Sequence, residues 1–426
     1  MTHNFIISNN KLILQDYNAI KYNDKYIYYH NDLPIFLGSI NSNTIIILGF
    51  AYRIDTITDD LLFECSSLEK VLELLSGKFL IIYNNKLYVD FYNSFDIFFS
   101  KKLNLITNDI TFIDANIEYD FLDKNEDKLD NIFFNLSPFL KYKNIYKLPF
   151  GFSLDIVTFK LEYVSLMLRH YDNILMEDIL NLIRKTYPNI IANIQNKFPI
   201  CLSLSGGIDS RACLTLMLEQ GYNFTIINWD REDRNLPDKI IPRIICDKYK
   251  LKLIGIEDFD SKYIVILGYD FDIFHSALKD RKNYRDCKTE REILDLYIPN
   301  DNTIFKKNRK FYELYVKDKL HNFHIFDRIQ LYFYIGNCIA PMMKVDSMGG
   351  MNCISLFNNY KICRYMLQFF KYRIHEISLR ICESNKFLWN LPFNSLNKIE
   401  SNEKIQSLSW SLNNTFLLNS ESDIWT

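Results

Sequence analysis

Between Pro199 and Gly221 the chain reads PICLSLSGGIDSRACLTLMLEQG. A short, fully apolar run stops at a Gly-Gly turn and passes straight into an apolar helix closed by Gly221. A strand with no polar face has to be covered on both sides, which is the condition of a parallel sheet flanked by helices. The same grammar surrounds it. MEDILNLIRKTYPNIIANIQ precedes it as an amphipathic helix, and FTIINWD follows as a strand. PDKIIPRIICDKY then reads as a helix opened by Pro237, with Pro242 near its first turn, and LKLIGI as another strand. Strands alternating with helices predict βαβ units from about residue 175 onward. From about residue 285 the pattern is mostly helical and rich in aromatics.

The first part of the chain is written differently. YIYYH, TIIILGF, KFLIIYNNKLYVDFY and FSLDIVTF are β-branched and aromatic runs separated by Asn, Asp and Gly. They predict short antiparallel strands. Asn84-Asn85 tolerates the positive φ of a tight hairpin turn. SSLEKVLELL reads as a helix capped by Ser67, with Leu68, Val71, Leu72 and Leu75 on one face. Two domains are therefore expected, residues 1–165 and 175–426, in an α/β chain.

Composition removes several function classes. With 50 basic and 52 acidic side chains the chain lacks the basic excess of a nucleic-acid binder. KDRKNYRDCK reads as a solvated face. Nine cysteines without C-x-x-C spacing argue against a zinc site, a redox pair or a disulfide framework. Reduced thiols fit a cytoplasmic protein. Seven histidines show no H-E-x-x-H spacing. MTHNFIISNNKLILQDY does not read as a signal peptide. No uncharged run approaches the ~18 residues of a membrane span.

The Ser-Gly-Gly turn is the chemical signal, in a chain with only 12 glycines. It sits at the carboxyl end of a parallel strand, where α/β proteins bind ligands. Gly206 and Gly207 let the backbone approach a ligand closely. The N–H groups of the turn and the start of the following helix, near Ser210, converge on one spot with the positive end of the helix dipole. Ser205 and Ser210 add hydroxyls, and such a nest suits phosphate or pyrophosphate. Asp209 suits Mg²⁺ held jointly with phosphate oxygens. A Walker A loop is excluded because no G-K-[ST] follows. Leu204, Ser205, Gly206, Gly207, Asp209 and Ser210 are thus the candidate phosphate-binding residues; the plain alternative is a Gly-rich turn with a helix cap.

Ser205–Ser210 resembles the S-G-G-x-D-S loop of the PP-loop ATP pyrophosphatases, adenylating enzymes that include the asparagine, argininosuccinate and GMP synthetases. The resemblance implies that the next strand cradles adenine, through main-chain groups near Ile227 and Asn228. The rest of the chain resembles the asparagine synthetase branch. LEKVLELLSGKFLIIYNNKLYVDFYNSFDIFFS looks like its glutaminase-type domain, and IYKLPFGFSLDI like the closing strand of that domain. DSMGGMNCISLFNNYKICRYML is similar to its helix and loop D-x-x-x-M-x-x-x-x-E-x-R-x-P-F-L-D. NKFLWNLPFN resembles K-x-G-F-x-x-P, which places Lys386 and Pro392 on the lysine and proline.

Departures accompany these likenesses. A glutamine-hydrolysing member carries cysteine directly after the initiator methionine, and here the residue is Thr2. An N-terminal threonine can itself be a nucleophile. The signatures of a glutamine site are not recognisable, so the first domain is expected to be an Ntn-type αββα-like scaffold without glutaminase activity, as in β-lactam synthetase and lasso-peptide cyclases. The family's G-x-G-x-D-E has its nearest counterpart in VILGYDFDIFH, which puts Gly268 and Asp272 on the glycine and aspartate, with Asp270 beside them and Ile273 in place of the glutamate. The longer segment SKYIVILGYDFDIFHSAL reads equally well as strand or helix. Asn358, in SLFNN, stands where a carboxylate is expected.

The resemblance implies an ATP- and Mg²⁺-dependent synthetase with Asp209 and Asp272 as metal ligands and Lys386 stabilising charge at the α-phosphate. It would adenylate a carboxylate, of a peptide natural product or a surface glycan, for attack by an amine or ammonia. Arg211 is read as touching substrate or phosphate, or else as facing solvent. Arg364, Arg373 and Arg380 are placed along the cleft, as ligands of an acidic substrate or as salt-bridge partners. A homodimer is compatible with this reading, and neither a nucleic acid nor a membrane is an expected partner. Two alternatives stay open: an enzyme activating an amide or sugar oxygen, and a non-catalytic nucleotide-binding protein.

Overall fold

Turn chemistry builds the first half of the chain as read. The structure, a computed structural model, describes residues 4–116, 138–140, 142–165, 174–228, 236–255, 257–268, 287–297, 303–321, 328–329, 331–333, 351–367 and 376–391. Strands β6 (Leu75–Tyr83) and β7 (Lys86–Val89) form the expected hairpin, with Asn84 and Asn85 at φ 50° and 62°. Both φ values are positive, as the two central residues of a tight hairpin turn require. Helix α1 (Leu68–Leu74) is capped by Ser67, whose hydroxyl accepts from the Lys70 N–H. The helix runs directly into β6, so Leu75 is strand rather than helix face.

Among the described residues, ten antiparallel strand pairings build two sheets. One sheet combines β1 (Phe5–Ser8), β2 (Tyr17–Tyr22) and β3 (Lys25–His30) with β8 (Phe98–Ser100), β9 (Leu105–Thr107) and β10 (Tyr146–Lys147). The other has the order β12-β11-β7-β6-β5-β4, with β4 at Ile35–Ile40, β5 at Asn43–Arg53, β11 at Phe152–Asp155 and β12 at Leu161–Tyr163. Phe5, Ile7 and Ile27 of the first share one apolar core with Ile45, Ile47, Phe79 and Ile81 of the second. Strands β5 and β6 are buried almost continuously rather than alternately. The reason is that helix α2 (Met176–Gln195) packs against β5. Asn193 of α2 donates to the Arg53 and Thr56 carbonyls at 3.0 and 2.8 Å, fastening the helix to the end of β5.

The second half holds a five-stranded, all-parallel sheet of order β15-β14-β13-β16-β17. Its strands are β13 (Ile200–Ser203), β14 (Thr225–Ile227), β15 (Leu253–Ile254), β16 (Ile264–Ile266) and β17 (Asn352–Ile354). Helix α3 (Ile208–Glu219) follows β13, and α4 (Leu236–Tyr249) follows β14. The other described α-helices are α5 (Glu290–Tyr297), α6 (Thr303–Phe311), α7 (Tyr360–Leu367), α8 (Glu376–Cys382) and α9 (Lys386–Asn390).

Several boundaries differ from the sequence reading. Helix α3 begins at Ile208, two residues before Ser210, so Asp209 and Ser210 lie in its first turn. Pro242 is the seventh residue of α4 and not part of its opening turn; tertiary packing carries the helix past a missing N–H. The ambiguous string around Gly268 contributes a strand, β16, because Ile264 and Ile266 pair with Ile200 and Leu202. Strand β17 falls within a segment read as helix and loop; three residues suffice when a pre-existing edge, β16, supplies the partners. Among the described residues no helix is long and apolar enough to cross a membrane. The eight described cysteines are free thiols.

Candidate functional site

The chain order of the sheet places the Ser-Gly-Gly turn. From β13 the chain moves outward through β14 and β15, then returns to the other side of β13 as β16. The ends of β13 and β16 therefore form a topological switch point, the position where parallel α/β sheets open a crevice for ligands. Leu204–Gly207 caps β13 there, and Gly268 stands two residues beyond the end of β16. A Cβ on Gly268 would come within 2.8 Å of the Ser210 nitrogen and 3.1 Å of the Asp209 carbonyl carbon. Glycine is required because backbone meets backbone at that point.

The N–H groups of the turn are engaged, which corrects the expectation of an open nest. Ser205 N–H donates to Ser210 Oγ at 3.2 Å and Gly207 N–H to Ser205 Oγ at 3.0 Å. Gly206 N–H donates to Asp238 Oδ1 at 2.7 Å. An anion does sit in the nest, but it is the carboxylate of the α4 first turn; a charge-assisted bond of this kind is stronger than a neutral one. Beyond the turn, the N–H groups of Ile208, Asp209 and Ser210 open α3, where a helix provides no intrahelical acceptor.

Asp209 is 9% exposed and accepts a hydrogen bond from Ser378 Oγ of α8. Ile227 is fully buried, and its carbonyl accepts from the Leu204 N–H at 3.0 Å. The Asn228 N–H donates to the Ile254 carbonyl at 3.4 Å. Its side-chain amide donates to the carbonyls of Leu204 at 3.1 Å and Asp238 at 2.8 Å, tying the turn to α4. The main chain proposed for adenine is thus already part of the sheet ladder.

Arg211 meets neither of its expectations. It is fully buried, and its guanidinium donates to three carbonyls: Gly206 at 2.8 Å, Leu391 at 2.8 Å and Leu388 at 3.3 Å. Burial pushes its pKa down to about 9, against the pull of Cys382 and Asp238, so it stays cationic at neutral pH. Lys386 is exposed at the first position of α9, whose cap Asn385 accepts from the Leu388 N–H and the Tyr249 hydroxyl. Arg364 is buried and paired with Glu73, and Arg380 is paired on the surface with Glu376 and Glu383. Both are salt-bridge partners. Thr2, Asp270, Asp272, Ile273, Arg373 and Pro392 lie outside the described residues.

SLFNN packs against the first half of the chain. Asn358 is fully buried and donates to the Gly77 carbonyl at 2.7 Å and to Asp90 Oδ1 at 2.8 Å, while its own carbonyl accepts from the Tyr92 N–H at 3.1 Å. Asn359 donates to the Glu73 and Leu75 carbonyls and caps α7. The segment clasps the β6–β7 hairpin, and an aspartate in place of Asn358 would face Asp90.

Among the described residues, no three His, Cys, Asp or Glu side chains gather as metal donors. Asp238 and Ser378 belong to the site but to none of its sequence motifs. Their only sequence signal was position: an acid in a helix first turn, and a hydroxyl within an apolar helix. No protein-family model matches the chain, and no curated protein matches it in sequence.

Proposed function

We propose that the chain is an ATP-dependent, AMP-forming amide synthetase of the asparagine synthetase-like kind. Its PP-loop domain would act beside an Ntn-type scaffold that has no glutaminase activity. The observation that carries this reading is the position of Ser205–Ser210 at the switch point between β13 and β16, backed by Gly268. The donor set fits a triphosphate if Ser205 Oγ turns away from the Gly207 N–H, leaving it and the first turn of α3 for phosphate oxygens. Asp209 would hold Mg²⁺ together with those oxygens, and the metal would neutralise the pyrophosphate. Asp272 is the proposed second ligand.

In the reaction, a substrate carboxylate oxygen attacks the α-phosphorus and pyrophosphate leaves. An amine or ammonia then attacks the acyl carbon, AMP leaves, and one proton is released with the new amide. Lys386 is the proposed cation beside the α-phosphate. Peptide natural products and surface glycans are the proposed sources of the acid.

The test uses α-labelled ATP, Mg²⁺ and panels of carboxylic acids and amines, with AMP as the readout. Acid-dependent AMP is expected, and Asp209→Ala should lower it by at least ~100-fold. AMP release unchanged by Asp209→Ala would remove the loop from the chemistry. ATP bound without turnover under any pairing would leave a non-catalytic nucleotide-binding protein.

A further inference from the structure

Gly206 is held at both ends. Its N–H donates to Asp238 of α4, and its carbonyl accepts from Arg211 of α3. The same two helices hold α9. Tyr249 of α4 donates to Asn385, the cap of α9, at 2.9 Å, and Arg211 donates to the Leu388 and Leu391 carbonyls at its far end. Helix carbonyls at a C-terminus lack intrahelical donors and attract a cation, so the guanidinium satisfies them while fixing the helix. The planar guanidinium presents donors in several directions at once. It therefore serves the turn from Nη2 and α9 from Nη1, where an ammonium would have to reach all three carbonyls from one nitrogen.

The Gly206 carbonyl and the Gly207 N–H belong to one rigid peptide unit and point in opposite directions. Arg211 grips the oxygen end at 2.8 Å; the N–H end is directed to Ser205 Oγ at 3.0 Å, on the half-buried side of the turn. Any ligand that draws on this N–H pulls on a plane whose other end is bonded to Arg211. We infer that Arg211 is a positioning residue that couples occupancy of the Ser205–Gly207 turn to the placement of α9, the helix that opens with Lys386. The inference rests on the reading of the turn as an ATP site and adds to it a route by which nucleotide sets the position of the helix.

Trp389 of α9, 7% exposed, is the reporter. In the full chain with Trp229, Trp410 and Trp425 changed to Phe, Mg·ATP is titrated by calorimetry and by Trp389 emission. Binding with a change in emission is expected. Arg211→Lys should leave the fold intact by circular dichroism, weaken ATP by about tenfold through the lost coupling, and abolish the emission change. Asn385→Ala releases the α4 end of α9 and leaves Arg211 in place, so the emission change should survive it. This second variant decides the matter if Arg211→Lys does not fold. An emission change that persists in Arg211→Lys, or that disappears in Asn385→Ala, overturns the inference. ATP binding without any Trp389 response overturns the coupling alone. Failure of ATP to bind the parent chain removes both the coupling and the ATP site.

Discussion

Asn358 Nδ2 lies 2.8 Å from Asp90 Oδ1, with both residues fully buried where the second half of the chain meets the β6–β7 hairpin. Asp90 also accepts from the N–H groups of Phe79, Tyr92 and Ser94 and from the Ser94 hydroxyl. An amide at position 358 therefore donates where a carboxylate would repel. Asn358→Ala should cost about 3 kcal/mol, because the Gly77 carbonyl and the Tyr92 N–H lose a partner along with Asp90. Asn358→Asp should be tolerated only with a shared proton, since two adjacent buried carboxylates cannot both ionise. Urea unfolding should show that variant weakening steeply as pH rises through neutrality.

Asp90 itself predicts a pH dependence. Burial pushes its pKa up to about 6, against hydrogen bonds from Asn358 and Ser94. Between the ordinary aspartate value and about 6, the folded chain keeps a proton that the unfolded chain has lost. Stability from this group is then full at the acid end and falls as pH rises through about 6, by about 3 kcal/mol in all. Unfolding free energies from about pH 4 to pH 7 should slope downward relative to Asp90→Asn. Parallel profiles for the two proteins would show that Asp90 is ionised throughout.

Gly268→Ala should disturb the candidate site without removing a polar group. The new methyl would meet the Ser210 nitrogen at 2.8 Å and the Ser210 Cα at 3.0 Å, and backbone at a helix start cannot step aside cheaply. A loss of about 1–3 kcal/mol is expected from overpacking. Calorimetry should show weaker ATP binding in a protein whose melting point is only moderately lowered.

Lys147 and Asp96 form an ion pair at 2.5 Å inside the first half of the chain, with side chains 0% and 4% exposed. Lys147→Met should cost about 3–5 kcal/mol, because it strands a buried carboxylate. Adding Asp96→Asn should recover much of that loss, since asparagine keeps the shape and tolerates the φ of 56° at this position. A double-mutant cycle by chemical denaturation measures the coupling.

Local signals were legible where a feature depends on a few neighbouring residues. The Asn84-Asn85 hairpin, the Ser67 cap and the α2 amphipathic face each follow from periodicity or from a side chain reaching its own backbone. The Ser-Gly-Gly turn was legible for the same reason, as a glycine pair between an apolar strand and a helix. The engagement of the Gly206 N–H was not, because Asp238 lies 32 residues away. Nor was β17, whose three residues are a strand only against β16.

The amino-acid sequence by itself thus determined the alternation of strands and helices and the site of the turn, since short-range sterics and burial periodicity act within a few residues. Tertiary structure decided the return of β16 to the inner side of β13, which turns the end of that strand into a switch point. It also decided that Arg211 faces inward and that Asn358 meets a carboxylate 268 residues away. Those outcomes depend on which buried polar groups find partners, and that is settled only when distant segments have packed.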